Sequence, residues 1–152
     1  LYSKVLVPDT LNGRFELIIL HIMLVLRRLR NEDKNSLKIS ECIMALMFSD
    51  MDRNLREMGV GDLSVGKQVK KMAAAFYGRA ELWEDSLNLG ETALSKTLLE
   101  TIFRSTNICK GEESMLARYL IKLDCALGEM PINHITSNKF SFPAVDYLKQ
   151  QN

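Results

Sequence analysis

The composition of this 152-residue chain, 47% hydrophobic and 26% charged, is that of a single folded domain and excludes the low-hydrophobicity, high-charge class of disordered chains. Its 20 basic and 19 acidic residues give a net charge of +1, so no strong overall field attracts nucleic acid or anionic lipid, and no DNA partner is expected. The cysteines lack close pairs, which favours free thiols in a reducing compartment; they are Cys42, Cys109 and Cys125.

The first predicted element is a helix over about 14–30. Turn residues at Pro8, Asn12 and Gly13 precede this helix, and its apolar side chains cover almost every direction around the axis. A helix that is apolar all round is predicted to lie at the centre of the fold. Its longest apolar run, 15–26, is well short of the roughly 20 residues that a membrane span needs, so no span is expected.

Two long amphipathic helices are predicted next. One runs from about Leu37 to Met58, with Gly59 as its C-terminal cap. Ser64 is predicted to cap the other helix at its N-terminus. That second helix carries the most regular buried stripe of the chain, which consists of Val65, Val69, Met72, Phe76, Ala80, Trp83 and Leu87.

Methionines recur on the stripes that we predict to face inward, at Met44, Met47, Met51, Met58 and Met72. Methionine commonly fills irregular gaps in a core. The alternative is that some of them line a groove, because flexible thioethers adapt to varied apolar partners.

Two shorter helical patterns follow Gly90. Their predicted buried positions are Leu94, Leu98 and Ile102 in the first, and Leu116, Tyr119, Leu120, Leu123 and Leu127 in the second. Residues 133–143 show no period and are predicted to be an irregular loop, and 144–150 a last short turn of helix. The chain is therefore predicted to be all-α: one domain over 1–152, a bundle of about five to six helices around the central apolar helix, with an irregular C-terminal tail.

No segment carries a complete catalytic, cofactor-binding or metal-binding pattern. Gly61–Gln68 resembles a phosphate-binding loop, but Gln68 stands where the magnesium-binding hydroxyl belongs, and a helix rather than a strand precedes the segment. His21 lies alone in the apolar first helix and is predicted to be a buried, hydrogen-bonded side chain. We therefore expect no enzymatic activity, cofactor or metal.

Two alternatives stay open. One is a small-ligand pocket or active site formed by His21, Asp52 and Arg79. The other is weak binding of RNA or the ribosome, with salt-sensitive contacts to phosphate from Lys67, Lys70 and Lys71.

A charged face is predicted near the end of the second helix. Asp50 and Asp52 are two residues apart and point in nearly opposite directions, so they are not expected to share a metal ion. Spacings of three and four residues instead join Asp50 to Arg53, Arg53 to Glu57, and Asp52 to Arg56. This ladder of ion pairs is either a solvated helix face or a partner-binding surface.

Three stretches of the chain resemble the ubiquinol–cytochrome c chaperone family of mitochondria and bacteria. They are Leu1-Tyr2 with Pro8-Asp9-Thr10 and Gly13-Arg14-Phe15-Glu16-Leu17 leading to His21; Asp50-Met51-Asp52-Arg53 with Leu55-Arg56-Glu57-Met58-Gly59-Val60-Gly61-Asp62; and Phe76-Tyr77-Gly78-Arg79-Ala80. Their order and spacing together carry the resemblance, which covers roughly the first 90 residues.

The resemblance implies an assembly chaperone of compact bacterial type that binds newly made cytochrome b or its assembly intermediates. It implies a bacterial cytoplasmic location at the inner face of the membrane, with at most peripheral membrane contact, or the mitochondrial matrix. Mitochondrial members act with a small partner protein near the ribosomal exit tunnel, so a second chaperone and the ribosome are further candidate partners. The motif residues that carry over as candidate contacts are Asp50, Asp52, Arg53, Arg56, Glu57, Asp62, Phe76, Tyr77, Gly78 and Arg79.

Overall fold

The computed structural model describes residues 11–30, 32–104, 111–137 and 140–142; at residues 11 and 12 it describes only the backbone. Helices form most of these residues. They are α1 (Leu11–Leu29), α2 (Lys34–Glu57), α3 (Asp62–Leu89), α4 (Glu91–Thr101), α5 (Glu112–Glu129) and α6 (Ile132–Ile135). The absence of strands from these residues confirms the predicted all-α fold. The turn of helix predicted at 144–150 and the thiol of Cys109 lie outside the described residues.

The first helix occupies the predicted central position, because α1 packs against α2, α3 and α5, while the other helices pack in chain order, α2 on α3, α3 on α4 and α4 on α5. It begins at Leu11, earlier than predicted, so Gly13 lies in its first turn rather than before it. Ile18, however, is 51% exposed, so one face of α1 is uncovered by the described residues. The buried side chains of α1 include Leu17, Ile19, Leu20, Met23, Leu24, Val25 and Leu29.

The ends of α2 follow its capping residues. Asp33 precedes the helix, and its carboxylate accepts a 2.8 Å hydrogen bond from the backbone N–H of Ser36, a contact that lowers the pKa of Asp33. This cap places the start at Lys34, before the predicted Leu37. At the other end Gly59 has φ +83°, and its N–H donates to the carbonyl oxygen of Arg56 at 2.9 Å. The predicted glycine cap is therefore confirmed.

The start of α3 was predicted wrongly. Ser64 is not the cap, because α3 begins at Asp62 and Gly61 occupies the N-cap position. The carbonyl oxygen of Gly61 accepts hydrogen bonds from the N–H groups of Ser64 and Val65, at 2.8 and 3.1 Å. The short connection after Gly59 leads directly into the helix, and the carboxylate of Asp62 supplies the negative charge that favours a helix N-terminus.

The buried stripe of α3 is confirmed. Val65, Phe76, Trp83 and Leu87 are buried, and the other three positions of the stripe are half-buried. The indole Nε1 of Trp83 donates a 3.0 Å hydrogen bond to the Thr101 hydroxyl, which ties α3 to α4.

The C-terminal half follows the prediction up to residue 131. Gly90, at φ +101°, separates α3 from α4, and every position predicted to be buried on α4 and α5 is buried. The predicted loop over 133–143 is wrong at its start, because Ile132–Ile135 form a turn of helix that Pro131 initiates. Ile135 is buried, and this apolar contact holds the turn against the core where no period is visible in the sequence.

The arginines at the end of α1 join it to its neighbours. Arg28 Nε donates to the carbonyl oxygen of Leu127 at 2.9 Å, and its Nη2 donates to that of Met130 at 3.3 Å. Both acceptors lie at the C-terminal end of α5, whose last carbonyl oxygens have no partner within the helix. Arg28 therefore caps α5 in addition to carrying charge at the end of its own helix.

The predicted inward positions of the methionines are largely confirmed. Met47 and Met51 are buried, and Met44 and Met72 are half-buried against the core. Met58 is the exception, with 59% of its surface exposed. None of the helices in the described ranges has the length and apolarity needed to cross a bilayer.

Candidate partner-binding surfaces

An apolar groove runs along the uncovered face of α1, with α2 and the segment around α6 as its other walls. Its volume is about 580 Å³. The residues that line this groove are Leu17, Ile18, His21, Ile22, Val25, Leu29, Ile39, Ile43, Ile135, Phe140 and Phe142. All of them except His21 are apolar, so the groove is suited to contact apolar side chains of a partner.

His21 is half-buried rather than fully buried, but the predicted hydrogen bonding is confirmed, because both ring nitrogens have a partner. Nδ1 lies 2.7 Å from the carbonyl oxygen of Leu17, which can only accept, so Nδ1 carries the proton. Nε2 then accepts from the Tyr119 hydroxyl at 2.8 Å. Burial lowers the pKa of His21, although the hydrogen bond to Leu17 opposes this effect, and the ring is therefore neutral near pH 7.

The three residues of the alternative active site do not share a pocket. His21 lies in the apolar groove, whose lining includes neither Asp52 nor Arg79. Asp52 pairs with Arg56 within α2, and Arg79 pairs with Glu16 of α1. Each of the three is thus engaged with a different partner, and no groups of three or more metal-ligating side chains occur within the described part of the chain.

An ion pair between Glu16 and Arg79 links α1 to α3. The Glu16 side chain is only 9% exposed and the Arg79 side chain 32%, and burial lowers the pKa of Arg79. The second carboxylate oxygen of Glu16, Oε2, is buried and has no hydrogen-bond partner among the residues that the structure describes. Arg79 therefore pairs inside the fold. Because Glu16 lies in the first family-like stretch and Arg79 in the third, this ion pair brings the two stretches together.

An acidic pocket of about 490 Å³ lies on another face of α1, where α1 meets α3. Glu84 is held there by two arginines, with Arg30 Nη1 at 2.8 Å and Arg27 Nη1 at 3.1 Å from its Oε1. The residues that line this pocket are Met23, Leu26, Arg30, Phe76, Tyr77, Ala80, Glu81, Glu84 and Asp85. The family-like stretch 76–80 thus forms part of a concave surface.

The predicted ladder on α2 is confirmed. Arg53 pairs with Asp50 and, at 3.9 Å, with Glu57, and Arg56 Nε lies 2.6 Å from Asp52. Arg56 also pairs with Asp62, which joins the ends of α2 and α3. Because the side chains of all six residues are between 39% and 87% exposed, these contacts add little stability and leave the charges accessible to a partner.

The remaining candidate contacts divide between surface and core. Tyr77 is 60% exposed, whereas Phe76 is only 2% exposed and belongs to the core. The three lysines that are the alternative RNA-binding residues are all exposed on α3; they are Lys67, Lys70 and Lys71. RNA binding by these lysines stays a prediction.

The apolar groove is the feature that the sequence analysis missed. A signal for it was present, since Ile39 and Ile43 have helical spacing but lie outside the stripe that runs through Met44 and Met47. Of the five methionines weighed as groove residues, none lines the groove or the acidic pocket.

Residues 3–142 match the model of a protein family described as "Ubiquinol-cytochrome C chaperone". The chain belongs to the ubiquinol–cytochrome c chaperone family. Membership confirms the resemblance drawn from the three stretches, and it extends across α4, α5 and α6, where the sequence alone showed no diagnostic motif.

Two related sequences and one crystal structure resemble this chain. The chain is 25% identical to the ubiquinol-cytochrome c reductase complex assembly factor 1 of Mus musculus and 26% identical to that of Homo sapiens, each over 80% of its length. It spans less than half of these relatives, 43% and 42% of their lengths. The crystal structure of the Cbp3 homologue from Brucella abortus superimposes with a TM-score of 0.83 at 32% identity, covering 95% of this chain and 80% of that one.

Proposed function

We propose that this protein is an assembly chaperone of ubiquinol–cytochrome c reductase, and that it holds newly made cytochrome b in the apolar groove. The groove carries the proposal, because it presents an apolar surface on the central helix that none of the described residues covers. Family membership and the names of the related assembly factors support the choice of complex. We propose no enzymatic activity.

The chemistry of the groove matches the needs of a membrane-protein client. Helices that span a bilayer are apolar over about 20 residues and aggregate if water reaches them before insertion. A helix presents a row of side chains at spacings of three and four residues to a groove of this kind. With a volume of about 580 Å³, the groove takes one face of such a helix, and Ile18 at its edge is accessible from solvent.

The cellular location follows from this client. We propose that the chaperone acts where it would meet a newly made client, which is the bacterial cytoplasm beside the inner face of the membrane, or the matrix of a mitochondrion. A second chaperone subunit and the ribosome remain candidate partners in either location.

A complementation experiment tests the proposal. In a strain that lacks the gene, we expect a selective loss of b-type haem absorbance in the membrane, which the wild-type gene restores. Ile18→Glu places a charge at the edge of the groove, where it opposes the approach of an apolar helix. We expect this variant to restore less than half of the absorbance.

Leu46→Glu is the matched control, because Leu46 is 71% exposed on α2 and lines neither the groove nor the acidic pocket. Both variants must accumulate to the wild-type level and show the same helical circular dichroism. Normal b-type haem in the deletion strain would rule out the chaperone function. Full restoration by Ile18→Glu would rule out the groove as the client site.

A further inference from the structure

The acidic pocket combines an apolar floor with an exposed aromatic ring. Met23 and Leu26 of α1 meet Phe76 and Ala80 of α3 at the floor. Tyr77 stands on the wall with 60% of its surface exposed, and its ring packs edge-on against Phe76, with 5.3 Å between the ring centroids. Tyrosines that are supported in this way and open to solvent are frequent energetic centres of protein interfaces.

Two carboxylates of the pocket have no counter-charge among the described residues. Glu84 is neutralised by Arg27 and Arg30, but Glu81 and Asp85 are exposed, and neither pairs with a basic side chain in the described part of the chain. They are four residues apart on α3 and therefore lie side by side along the rim. The pocket thus keeps an excess of negative charge next to an apolar floor.

This combination matches lysine and arginine side chains better than any other class. Their long aliphatic stems cover apolar surface while the charged end reaches a carboxylate, and the face of Tyr77 attracts a cation. Membrane proteins concentrate these two residues in short segments on the cytoplasmic side, directly beside their spans.

We infer that the acidic pocket binds the lysine- and arginine-rich segment that flanks a membrane-spanning helix of the client, an inference that rests on the proposed function. Both surfaces are built on α1, whose 19 residues extend over about 28 Å. A client span in the apolar groove and its basic flank in the acidic pocket are therefore held by two faces of the same helix. The groove supplies apolar contact to the span, and the carboxylates of the pocket bind the basic side chains at the end of that span.

Peptide binding to the full chain tests this inference directly. The probe is a fluorescein-labelled 12-residue peptide with four leucines and four lysines at helical spacing, and its counterpart has glutamate in place of lysine. We expect the lysine peptide to bind more tightly than the glutamate peptide, with affinity that falls as salt is added. We expect the double variant Glu81→Gln/Asp85→Asn to weaken binding about tenfold, and Tyr77→Ala to weaken it by a similar factor.

The matched control is Glu41→Gln/Glu100→Gln, which makes the same change in net charge at exposed positions of α2 and α4. We expect this control to bind the peptide as wild type does. Equal affinities of the two double variants would overturn the inference, as would equal affinities of the wild-type chain for the two peptides. A change in oligomeric mass of the pocket variant in light scattering would also overturn it, because the pocket would then be an interface between two copies of the chain.

The peptide assay is independent of the complementation experiment, so the two failures are distinguishable. If deletion of the gene lowers b-type haem but the pocket variant binds the lysine peptide normally, the proposed function stands and only this inference fails. If deletion leaves b-type haem unchanged, the proposed function fails, and the membrane-protein identity of the ligand fails with it.

Discussion

Replacing Arg79 by methionine removes the charge that compensates the buried carboxylate of Glu16. Removing one partner of a buried ion pair costs about 3–5 kcal/mol, because the remaining charge is left without compensation. Since Arg79 is 32% exposed, we expect the lower limit, about 3 kcal/mol. That loss corresponds to a decrease of roughly 6–12 °C in the melting temperature of a domain of this size.

The assay is urea unfolding of Arg79→Met, followed by helical circular dichroism and by the fluorescence of Trp83, the only tryptophan in the chain. In the double variant Glu16→Leu/Arg79→Met the buried charge is gone, and we expect most of the lost stability to return. Arg118→Met is the matched control, because Arg118 pairs with Glu91 at 2.8 Å while 60% exposed, and should cost no more than about 1 kcal/mol. Equal losses in the two single variants would refute the reasoning.

Three further predictions concern stability. Arg28→Met removes two hydrogen bonds to the end of α5 and should lower the free energy of unfolding in urea by about 2 kcal/mol; a loss below 0.5 kcal/mol, by the scale of surface contacts, would contradict the capping role. Trp83→Phe removes the donor of the hydrogen bond to the Thr101 hydroxyl and creates a small cavity. Calorimetry should therefore show a decrease of about 1–3 kcal/mol in the free energy of unfolding, and an unchanged melting temperature would contradict this prediction. Burial lowers the pKa of His21 in the folded state. Its neutral form therefore contributes stability that is complete above about pH 6.5 and is lost as pH falls through the lower folded pKa. His21→Gln should flatten the decline of the melting temperature between pH 7.5 and 5, and parallel curves of melting temperature against pH for the variant and the wild type would refute the role of His21.

Local patterns in the sequence were sufficient to predict the five longer helices, α1 to α5. The stripe from Val65 to Leu87 and the apolar spacing of Leu94 and Leu98 required only the period of a helix. The start of α3 was predicted wrongly because a serine at the right place is a common cap, while the actual turn depends on the positive φ of Gly59, and the N-cap position falls at Gly61.

Contacts between distant helices could not be predicted in this way. Arg79 has no acidic partner at the spacings visible within a helix, and its partner Glu16 lies on α1. The apolar groove depends on the direction in which Ile39 and Ile43 of α2 face α1, which is a property of helix packing. Only the charged ladder at Asp50 to Glu57, where all partners are within one helix, was predicted pair by pair.

The central position of α1 has a consequence for the order of events during synthesis. Arg27 pairs with a residue 57 positions later, and Arg28 and His21 bond to residues 99 and 98 positions later. At about 5–20 residues per second, α1 leaves the ribosome roughly 5–20 s before α5 is complete. During that interval the most apolar helix of the chain lacks the partners that will bury it, so this protein must itself emerge as an aggregation-prone chain before it can protect another.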